Sequence, residues 1–255
     1  MGGGGFTMEE RAEGVDRLIL ELTGKEVPKI CFLPTAAGDS REQATRFQER
    51  YGSWPCQPSV LSLFRLGQDK INPVAHLLQQ DAIYVGGGSM RNMLAIWREH
   101  GIDEAMRTAW ERGIVLAGLS AGAMCWFEGG VSMSGGMPEV VGGIGLLPGS
   151  LSVHMSGERE RIQLYEQAVA TGELPPGYAA DDYAAIVWHG TKVGECVISD
   201  PDAKVVRIDA DGQGGVTVAE QPARLLPGAA ASEIAHEPYG VSEMRALRAG
   251  RNRWE

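Results

Sequence analysis

The chain has 255 residues, of which 44% are hydrophobic and 22% are charged, a composition typical of a globular protein with a substantial core. Its formal net charge of −10 at pH 7 argues against nucleic acid or an anionic membrane surface as a partner. The sequence contains no run of about 18 apolar residues that could span a membrane, and its first residues lack the pattern of a signal peptide.

Strand-like and helix-like segments alternate along the first 120 residues, which predicts an α/β fold with a mainly parallel sheet. A serine before residue 41 and a glycine at residue 101 mark the start and the end of helices. In chain order, the pattern predicts a strand in 29–37, a helix at 40–51, a strand at 59–66, a helix at 73–80, a strand and glycine turn at 81–88, helices at 89–101 and 101–113, and a strand at 114–118.

The order of elements changes after Ser120. We expect a short buried helix directly after it, and surface loops or short strands in the glycine-rich stretch 131–150. A strand is predicted at 150–155, a charged helix at 157–172, strands at 184–190, 196–200, 204–210 and 214–220, and a frayed helix at 240–255. Because no repeat or linker interrupts the sequence, we predict a single domain over 1–255.

The four cysteines show neither a CxxC motif nor a Cys/His spacing suited to a metal, so no metal site or cofactor is predicted. Cys31 and Cys125 lie in apolar runs, and we expect both to be buried free thiols. Free buried thiols favour a reducing compartment, and the predicted location is cytoplasmic.

The stretch Gly118-Leu119-Ser120-Ala121-Gly122 places a serine where an apolar strand ends and a helix begins. This G-x-S-x-G pattern is typical of a nucleophile elbow, in which small neighbours permit a sharp turn that exposes the hydroxyl. The helix that follows would offer backbone N–H groups to a developing oxyanion. The alternative is a turn of small residues that only lets the helix pack close to the sheet.

A triple glycine at 86–88 also separates a strand from a helix. Such a turn lets backbone N–H groups point into a cleft, so Gly87 or Gly88 could supply a second oxyanion hydrogen bond. The turn is not a phosphate loop, since no Walker lysine follows and Arg91 occupies the position of a third glycine. The alternative is a turn that binds nothing.

Among the five histidines, His154 is the best candidate for a general base because it closes a predicted strand 34 residues after Ser120. A serine–histidine pair needs an acid that fixes the imidazole tautomer, and Asp181 or Asp182 before a predicted strand could supply it. The chain order Ser, His, Asp differs from the Ser, Asp, His order of α/β-hydrolases, which argues against that fold.

Six stretches in order make the sequence resemble the peptidase E family of serine peptidases. They are GGGGF, CFLPTAAGD, IYVGGGSMRNMLAIWREHGID, GLSAGAM, LSVHMSGERERI and GYAADDYAAIV, between residue 2 and about residue 200. The resemblance implies a three-layer α/β sandwich of the class I glutamine amidotransferase-like (flavodoxin-like) type. It also implies a cytoplasmic, metal-free serine exopeptidase; the best-described members remove N-terminal aspartate from dipeptides.

By this resemblance Ser120 matches the nucleophile and His154 the base, and Gly88 and Ala121 match the backbone positions of the oxyanion hole. The acid falls on Asp182, with Asp181 as the second choice. The predicted partner is a short peptide substrate, and a homodimer is left open. Candidate substrate-binding residues are Gly87, Glu128 and Arg159.

The sequence departs from the family pattern at three places. Neither Arg159 nor Arg161 aligns in register with the arginine that aspartate-specific members use after the histidine, which puts Asp-X specificity in doubt. Gly136 occupies a position, ahead of a Met-Pro pair, where other members carry a second acid. Family members also carry an apolar strand before the GGGGF turn; only Met1 precedes it here, so the strand is absent from this sequence or the start was assigned late.

Two other functions remain open at this stage. A hydrolase similar to cyanophycinase, which cuts β-aspartyl-arginine, would share the elbow and the fold. A catalytically silent amidotransferase-like domain would use the same fold for binding alone.

Overall fold

The computed structural model describes residues 1–8 and 13–227; the tail helix predicted at 240–255 lies outside them. Four short strands form a parallel sheet in the order β2-β1-β3-β4. They are β1 (Lys29–Leu33), β2 (Gln57–Val60), β3 (Ala82–Val85) and β4 (Val115–Gly118). Since all four run in one direction, their carboxyl ends lie at the same edge of the sheet.

Side chains alternate between the two faces of this sheet, and helices cover both faces. Ile30 and Phe32 pack on one face with residues of α1 and α2, whereas Cys31 and Leu33 pack on the other with residues of α4, α5 and α6. The helices are α1 (Glu13–Glu21), α2 (Arg41–Gly52), α3 (Leu66–Asp69), α4 (Pro73–Leu77), α5 (Met90–His100) and α6 (Ile102–Glu111). The predicted α/β fold with a mostly parallel sheet between helices is therefore confirmed.

The second half of the described chain forms a mixed six-stranded sheet in the order β12-β11-β8-β7-β5-β6 and a small sheet in the order β13-β10-β9. Within the larger sheet β7 is parallel to both of its neighbours. The strands and helices of this half of the chain are α7 (Ala121–Met124), β5 (Gly129–Ser132), β6 (Glu139–Gly142), β7 (Ser150–Val153), α8 (Arg159–Thr171), β8 (Gly177–Ala180), β9 (Ala184–His189), β10 (Lys192–Ile198), β11 (Val205–Ala210), β12 (Val216–Glu220) and β13 (Ala223–Leu225).

The first three residues connect the two larger sheets. The Met1 nitrogen donates to the Gly118 carbonyl at 3.0 Å, and the Ser120 N–H donates to the Met1 carbonyl at 3.1 Å. Two residues later, Gly3 forms a parallel bridge with Asp182, just after β8. We call residues 1–3 the connecting strip, because they join the end of β4 to the end of β8.

The strand predicted at 59–66 is wrong over most of its length, since β2 ends at Val60 and a 3-10 turn and α3 follow. The carboxylate of Asp39 causes this early end: it accepts hydrogen bonds from the Ser62 hydroxyl (2.5 Å) and the Phe64 N–H (3.0 Å). Four elements, α1, α3, β8 and β13, were not predicted from the sequence.

The described residues contain four cysteines without a disulfide, and Cys31 and Cys125 are buried as expected. Within the same part of the chain no helix is long and apolar enough to cross a membrane, and no cluster of His, Cys, Asp and Glu could hold a metal ion.

An apolar cleft of about 640 Å³ lies between β4 and β9, with three tryptophans among its lining residues, namely Trp110, Trp126 and Trp188. Its walls reach Gly118 but include neither Ser120 nor the residues that contact the Ser120 hydroxyl. The cleft is therefore separate from the site described below.

Asp16 on α1 is a fully buried carboxyl group between α2 and the glycine turn at the N-terminus. It accepts a hydrogen bond from the Tyr51 hydroxyl at 3.0 Å, and a Cβ atom on Gly5 would lie 2.8 Å from its Oδ1. Burial raises the pKa of Asp16 from 3.8 to about 7, against the opposing influence of Tyr51 and Arg50, and Glu13 adds a smaller upward contribution.

Raising the pH from 4 to 8 should therefore destabilise the protein through Asp16. Because the folded state holds this proton more tightly than the unfolded state, the contribution is present below pH 3.8 and is lost as the pH rises to about 7. The loss reaches about 4 kcal/mol at most, at about 1.4 kcal/mol per pH unit. We expect Asp16→Asn to be more stable than the wild type at pH 8 but not at pH 4, as measured by urea unfolding.

The exposed Asp69→Asn variant is the control, and its stability relative to the wild type should not change with pH in this way. A stability difference between Asp16→Asn and the wild type that is the same at pH 4 and pH 8 would contradict the prediction.

Candidate active site

Ser120 lies on a strained turn between β4 and α7, with φ 51° and ψ −116°. Two glycines permit this turn: a Cβ on Gly118 would lie 2.1 Å from the Gly122 carbonyl oxygen, and one on Gly122 would lie 2.3 Å from the Val85 carbonyl oxygen. Any larger side chain at either position would push α7 away from the sheet. The G-x-S-x-G spacing therefore has a steric cause in the structure.

The Ser120 hydroxyl, the His154 ring and the Asp182 carboxylate form a continuous line of contacts. His154 Nε2 lies 3.0 Å from Ser120 Oγ, and His154 Nδ1 lies 2.5 Å from Asp182 Oδ1. His154 follows β7, Asp182 follows β8, and Ser120 follows β4, so all three lie at carboxyl ends of strands. His154 is only 7% exposed, which shields these contacts from water.

The partners of the His154 ring fix its tautomer. An ionised carboxylate can only accept hydrogen bonds, so Nδ1 carries a proton and donates a hydrogen bond to Asp182 Oδ1. Nε2 is then the unprotonated nitrogen, and it accepts a hydrogen bond from the Ser120 hydroxyl. This is the arrangement that a general base requires before it removes a hydroxyl proton.

Asp181 is buried and points away from His154. Its Oδ1 accepts the Ser156 N–H at 2.8 Å, and its Oδ2 accepts the Lys204 N–H at 3.0 Å. Both carboxylate oxygens therefore tie together main-chain segments, and of the two neighbouring aspartates only Asp182 contacts the His154 ring.

The glycine turn after β3 lies against the turn that carries Ser120. A Cβ on Gly87 would lie 3.2 Å from the Ser120 Cβ atom, so Gly87 is in direct contact with the serine. Gly88 has φ +139° and approaches the Ala36 carbonyl so closely that only glycine fits. The N–H groups of Gly88 and Ala121 donate to no other described residue, which leaves both available to a ligand.

Gly3 belongs to the glycine run of the GGGGF stretch, to which the sequence assigned no role in the site. A Cβ at this position would lie 2.2 Å from Asp182 Oδ1 and 3.0 Å from His154 Cε1, so Gly3 covers the His154–Asp182 contact. The unusual glycine run at positions 2–5 was the available signal. Only glycine lets the connecting strip approach so closely.

A bidentate ion pair joins the first turn of α5 to the start of β6. Arg91 Nη2 lies 2.8 Å and Arg91 Nε 3.2 Å from the two carboxylate oxygens of Glu139. Glu139 pairs with Ser132, the last residue of β5, which places the ion pair at the edge of the sheet where His154 lies. Sequence reasoning did not assign a function to either side chain.

Two of the predicted substrate-binding residues, Glu128 and Arg159, make no hydrogen bond or ion pair with Ser120, His154 or Asp182. Glu128 precedes β5 and accepts the Gly149 N–H at 2.8 Å, next to the first residue of β7, whereas His154 follows the last. Glu128 therefore lies at the end of the sheet opposite to His154, away from the Ser120 hydroxyl. Arg159 begins α8 with an exposed side chain, and no hydrogen bond or ion pair joins it to another candidate residue.

The chain is similar to known peptidases along most of its length. Residues 1–196 match the model of peptidase family S51. Over 208 residues the chain is 43% identical to the uncharacterized peptidase YgaJ of Bacillus subtilis (strain 168), which covers 82% of this chain and 90% of that protein.

Two solved structures share the fold. A peptidase from an acI-B1 Actinobacterium matches with a TM-score of 0.63 and 19% identity, over 85% of this chain and 91% of that chain. A Listeria monocytogenes EGD-e protein, provisionally named peptidase E, matches with a TM-score of 0.51 and 16% identity, over 86% and 96% of the two chains. At these identities the likeness concerns the fold alone.

Replacing Gly3 with alanine should disturb the His154–Asp182 contact without unfolding the protein. The new Cβ atom would force the Asp182 carboxylate to move, because it would lie 2.2 Å from Oδ1. We expect fluorophosphonate labelling of Ser120 to slow by about tenfold or more, since small misplacements in such sites cost up to about 100-fold.

Gly52→Ala is the matched control, because a Cβ at Gly52 meets nothing within 4 Å. Its labelling rate should equal that of the wild type. A Gly3→Ala protein that melts normally and is labelled at the wild-type rate would show that the strip does not set the geometry of the site.

Proposed function

This chain belongs to peptidase family S51, and we propose that it is a serine peptidase that hydrolyses short peptides from their N-terminal side. Membership of the family makes the chain a peptidase. The observation that supports a serine mechanism is the line of contacts from Ser120 through His154 to Asp182. The Ser120 elbow and the two unoccupied N–H groups beside it support the same assignment.

In the first half-reaction, Ser120 Oγ attacks the carbonyl carbon of the scissile peptide bond while His154 Nε2 takes the hydroxyl proton. The carbonyl oxygen becomes an oxyanion, which accepts hydrogen bonds from the N–H groups of Gly88 and Ala121. The carbon–nitrogen bond then breaks, and the leaving amine takes the proton from Nε2. An ester on Ser120 remains, and the peptide fragment with the new N-terminus departs.

In the second half-reaction, water attacks the ester carbonyl and gives one proton to His154 Nε2. The oxyanion forms again at the same two N–H groups, and Ser120 Oγ leaves with the proton from Nε2. The product is a free carboxylic acid, and the enzyme returns to its starting state. Asp182 accepts the Nδ1 hydrogen bond throughout and stabilises the positive charge on the imidazolium.

Restriction to short substrates rests on the resemblance to peptidase E and is consistent with the surroundings of Ser120. The connecting strip lies on one side of the triad, and the Arg91–Glu139 ion pair lies at the same edge of the sheet. Aspartate at the first position of the substrate is the narrower form of this proposal. A hydrolase similar to cyanophycinase would need a longer, branched substrate to reach the same serine.

A fluorophosphonate probe should label the wild-type protein at Ser120, and Ser120→Ala should abolish both labelling and peptide hydrolysis. Ser59 is a matched control, because its hydroxyl lies 3.1 Å from His76 Nε2 in a second serine–histidine pair. Among residues 1–8 and 13–227 no carboxylate binds the other ring nitrogen of His76, and Ser59 does not lie on a strained turn, so Ser59→Ala should keep full labelling.

A library of unblocked dipeptides with varied first residues tests the substrate class. We expect hydrolysis of dipeptides with a free amino group and no release of β-aspartyl-arginine from cyanophycin. Turnover of cyanophycin alone would replace the dipeptidase assignment, and a folded protein that no probe labels would favour a binding domain. A preference other than Asp-X would remove the aspartyl specificity but keep the dipeptidase.

Asp182→Asn should lower kcat by about 10³- to 10⁴-fold while changing the melting temperature little. An amide can donate to Nδ1 and so favour the tautomer whose Nε2 cannot accept the serine proton. Asp181→Asn should instead lower the melting temperature by several degrees, since its carboxylate accepts two main-chain N–H groups. Equal kcat values for the two variants would contradict the division of roles, and thermal unfolding monitors their stability.

A further inference from the structure

His154 occupies a left-handed backbone conformation, with φ 55°. A side chain other than glycine adopts this conformation at a cost of about 1–2 kcal/mol, so surrounding contacts must hold it. The His154 carbonyl accepts two hydrogen bonds, from the Gly157 N–H at 3.1 Å and the Glu158 N–H at 3.0 Å. These two hydrogen bonds close the turn 154–158 on the C-terminal side of His154.

Arg161 holds the main chain on the N-terminal side of His154. Its Nη1 donates to the Val153 carbonyl at 3.2 Å, directly before His154. Its Nε lies 2.9 Å from Glu158 Oε2. Glu158 is also the residue whose N–H donates to the His154 carbonyl. A single guanidinium therefore contacts the chain immediately before His154 and the residue that closes its turn.

The Glu158 carboxylate contacts Arg161 and does not cap the helix that Glu158 precedes. Glu158 is the N-cap of α8, but its side chain accepts no N–H of the helix. Its carboxylate forms an ion pair with Arg161 instead, in which Oε2 and Nε are close but not aligned as a hydrogen bond, and the two side chains are only 16% and 6% exposed. Burying such a pair gives little net stability, because desolvation offsets the attraction between the charges. Its clearest structural effect is on the position of the turn.

We propose that Arg161, through Glu158 and the Val153 carbonyl, is a positioning residue that holds His154 Nε2 within hydrogen-bond distance of Ser120 Oγ. The inference rests on the proposed function and adds a residue to it. In this role Arg161 contacts the Val153 carbonyl before His154 and the Glu158 carboxylate after it, and it does not touch the substrate. This role differs from that of an arginine that would bind a substrate carboxylate.

The test compares Arg161→Met and Arg161→Lys with Arg107→Met. Arg107 Nη2 donates to the Ile144 carbonyl at 3.1 Å, an arginine–carbonyl contact that involves neither β7 nor α8. Each variant is assayed by kcat and KM on the best dipeptide, after the concentration of folded active sites has been titrated with a fluorophosphonate.

We expect Arg161→Met to lower kcat per titrated site by about tenfold or more, with KM within about twofold of the wild type. Arg161→Lys should recover part of this loss, since an ammonium keeps the charge but lacks the fork that reaches both partners. Arg107→Met should keep the wild-type kcat. A rise in KM at constant kcat would instead assign Arg161 to substrate binding and overturn the proposal.

Two further outcomes are decisive. Equal kcat values per titrated site for Arg161→Met and Arg107→Met would show that Arg161 only supports the fold. If Arg161→Met does not fold, Arg161→Lys is compared alone, and a wild-type kcat for that variant would overturn the proposal. Failure of the proposed function itself is distinguishable, because the wild type would then show neither labelling nor hydrolysis.

Discussion

The approach of Gly3 to Asp182 is the contact on which the geometry of the site depends, because the reacting groups lie on two different sheets. Ser120 follows a strand of the four-stranded sheet, whereas His154 and Asp182 follow strands of the six-stranded sheet. The connecting strip pairs with the first sheet through Met1 and with the second through Gly3. The 3.0 Å separation of serine and histidine is therefore a property of how the sheets are joined, and neither sheet fixes it alone.

Backbone strain is concentrated at the same junction. Ser120, His154 and Tyr183 have positive φ values of 51°, 55° and 65°, and each costs about 1–2 kcal/mol. The strip offsets part of this cost, since the Met1 carbonyl accepts the Ser120 N–H and the Gly3 carbonyl accepts the Tyr183 N–H. The strained residues and the contacts that hold them thus form one unit, which aims the hydroxyl and the imidazole at each other.

Local sequence patterns predicted the elements whose ends are set locally. The strand 82–85 is a short apolar run, and helix α5 is bounded by the Ser89 N-cap and Gly101 at its end. The failures depend on distant residues. The strand predicted at 59–66 ends early because Asp39, about 20 residues before it, accepts the hydrogen bonds of a turn. Helix α1 contains Gly14, which packs against Leu226 from the other end of the described chain, and no local pattern could reveal that contact.

In the candidate site, too, the sequence could not show which side chains distant contacts bring together. Eight residues separate Glu128 from Ser120, but the chain crosses to the other end of the sheet within that distance, so proximity in sequence was misleading.

For Asp181 and Asp182 the sequence left a choice of two. Neighbouring residues at the end of an extended strand point in opposite directions, so only one of them can face the histidine. Which one it is depends on the pairing of β8 with β7, since that register sets where the strand ends relative to His154. The other carboxylate is left on the side of Ser156 and Lys204, where its two oxygens bind main-chain N–H groups and hold the ends of the strands that carry the site.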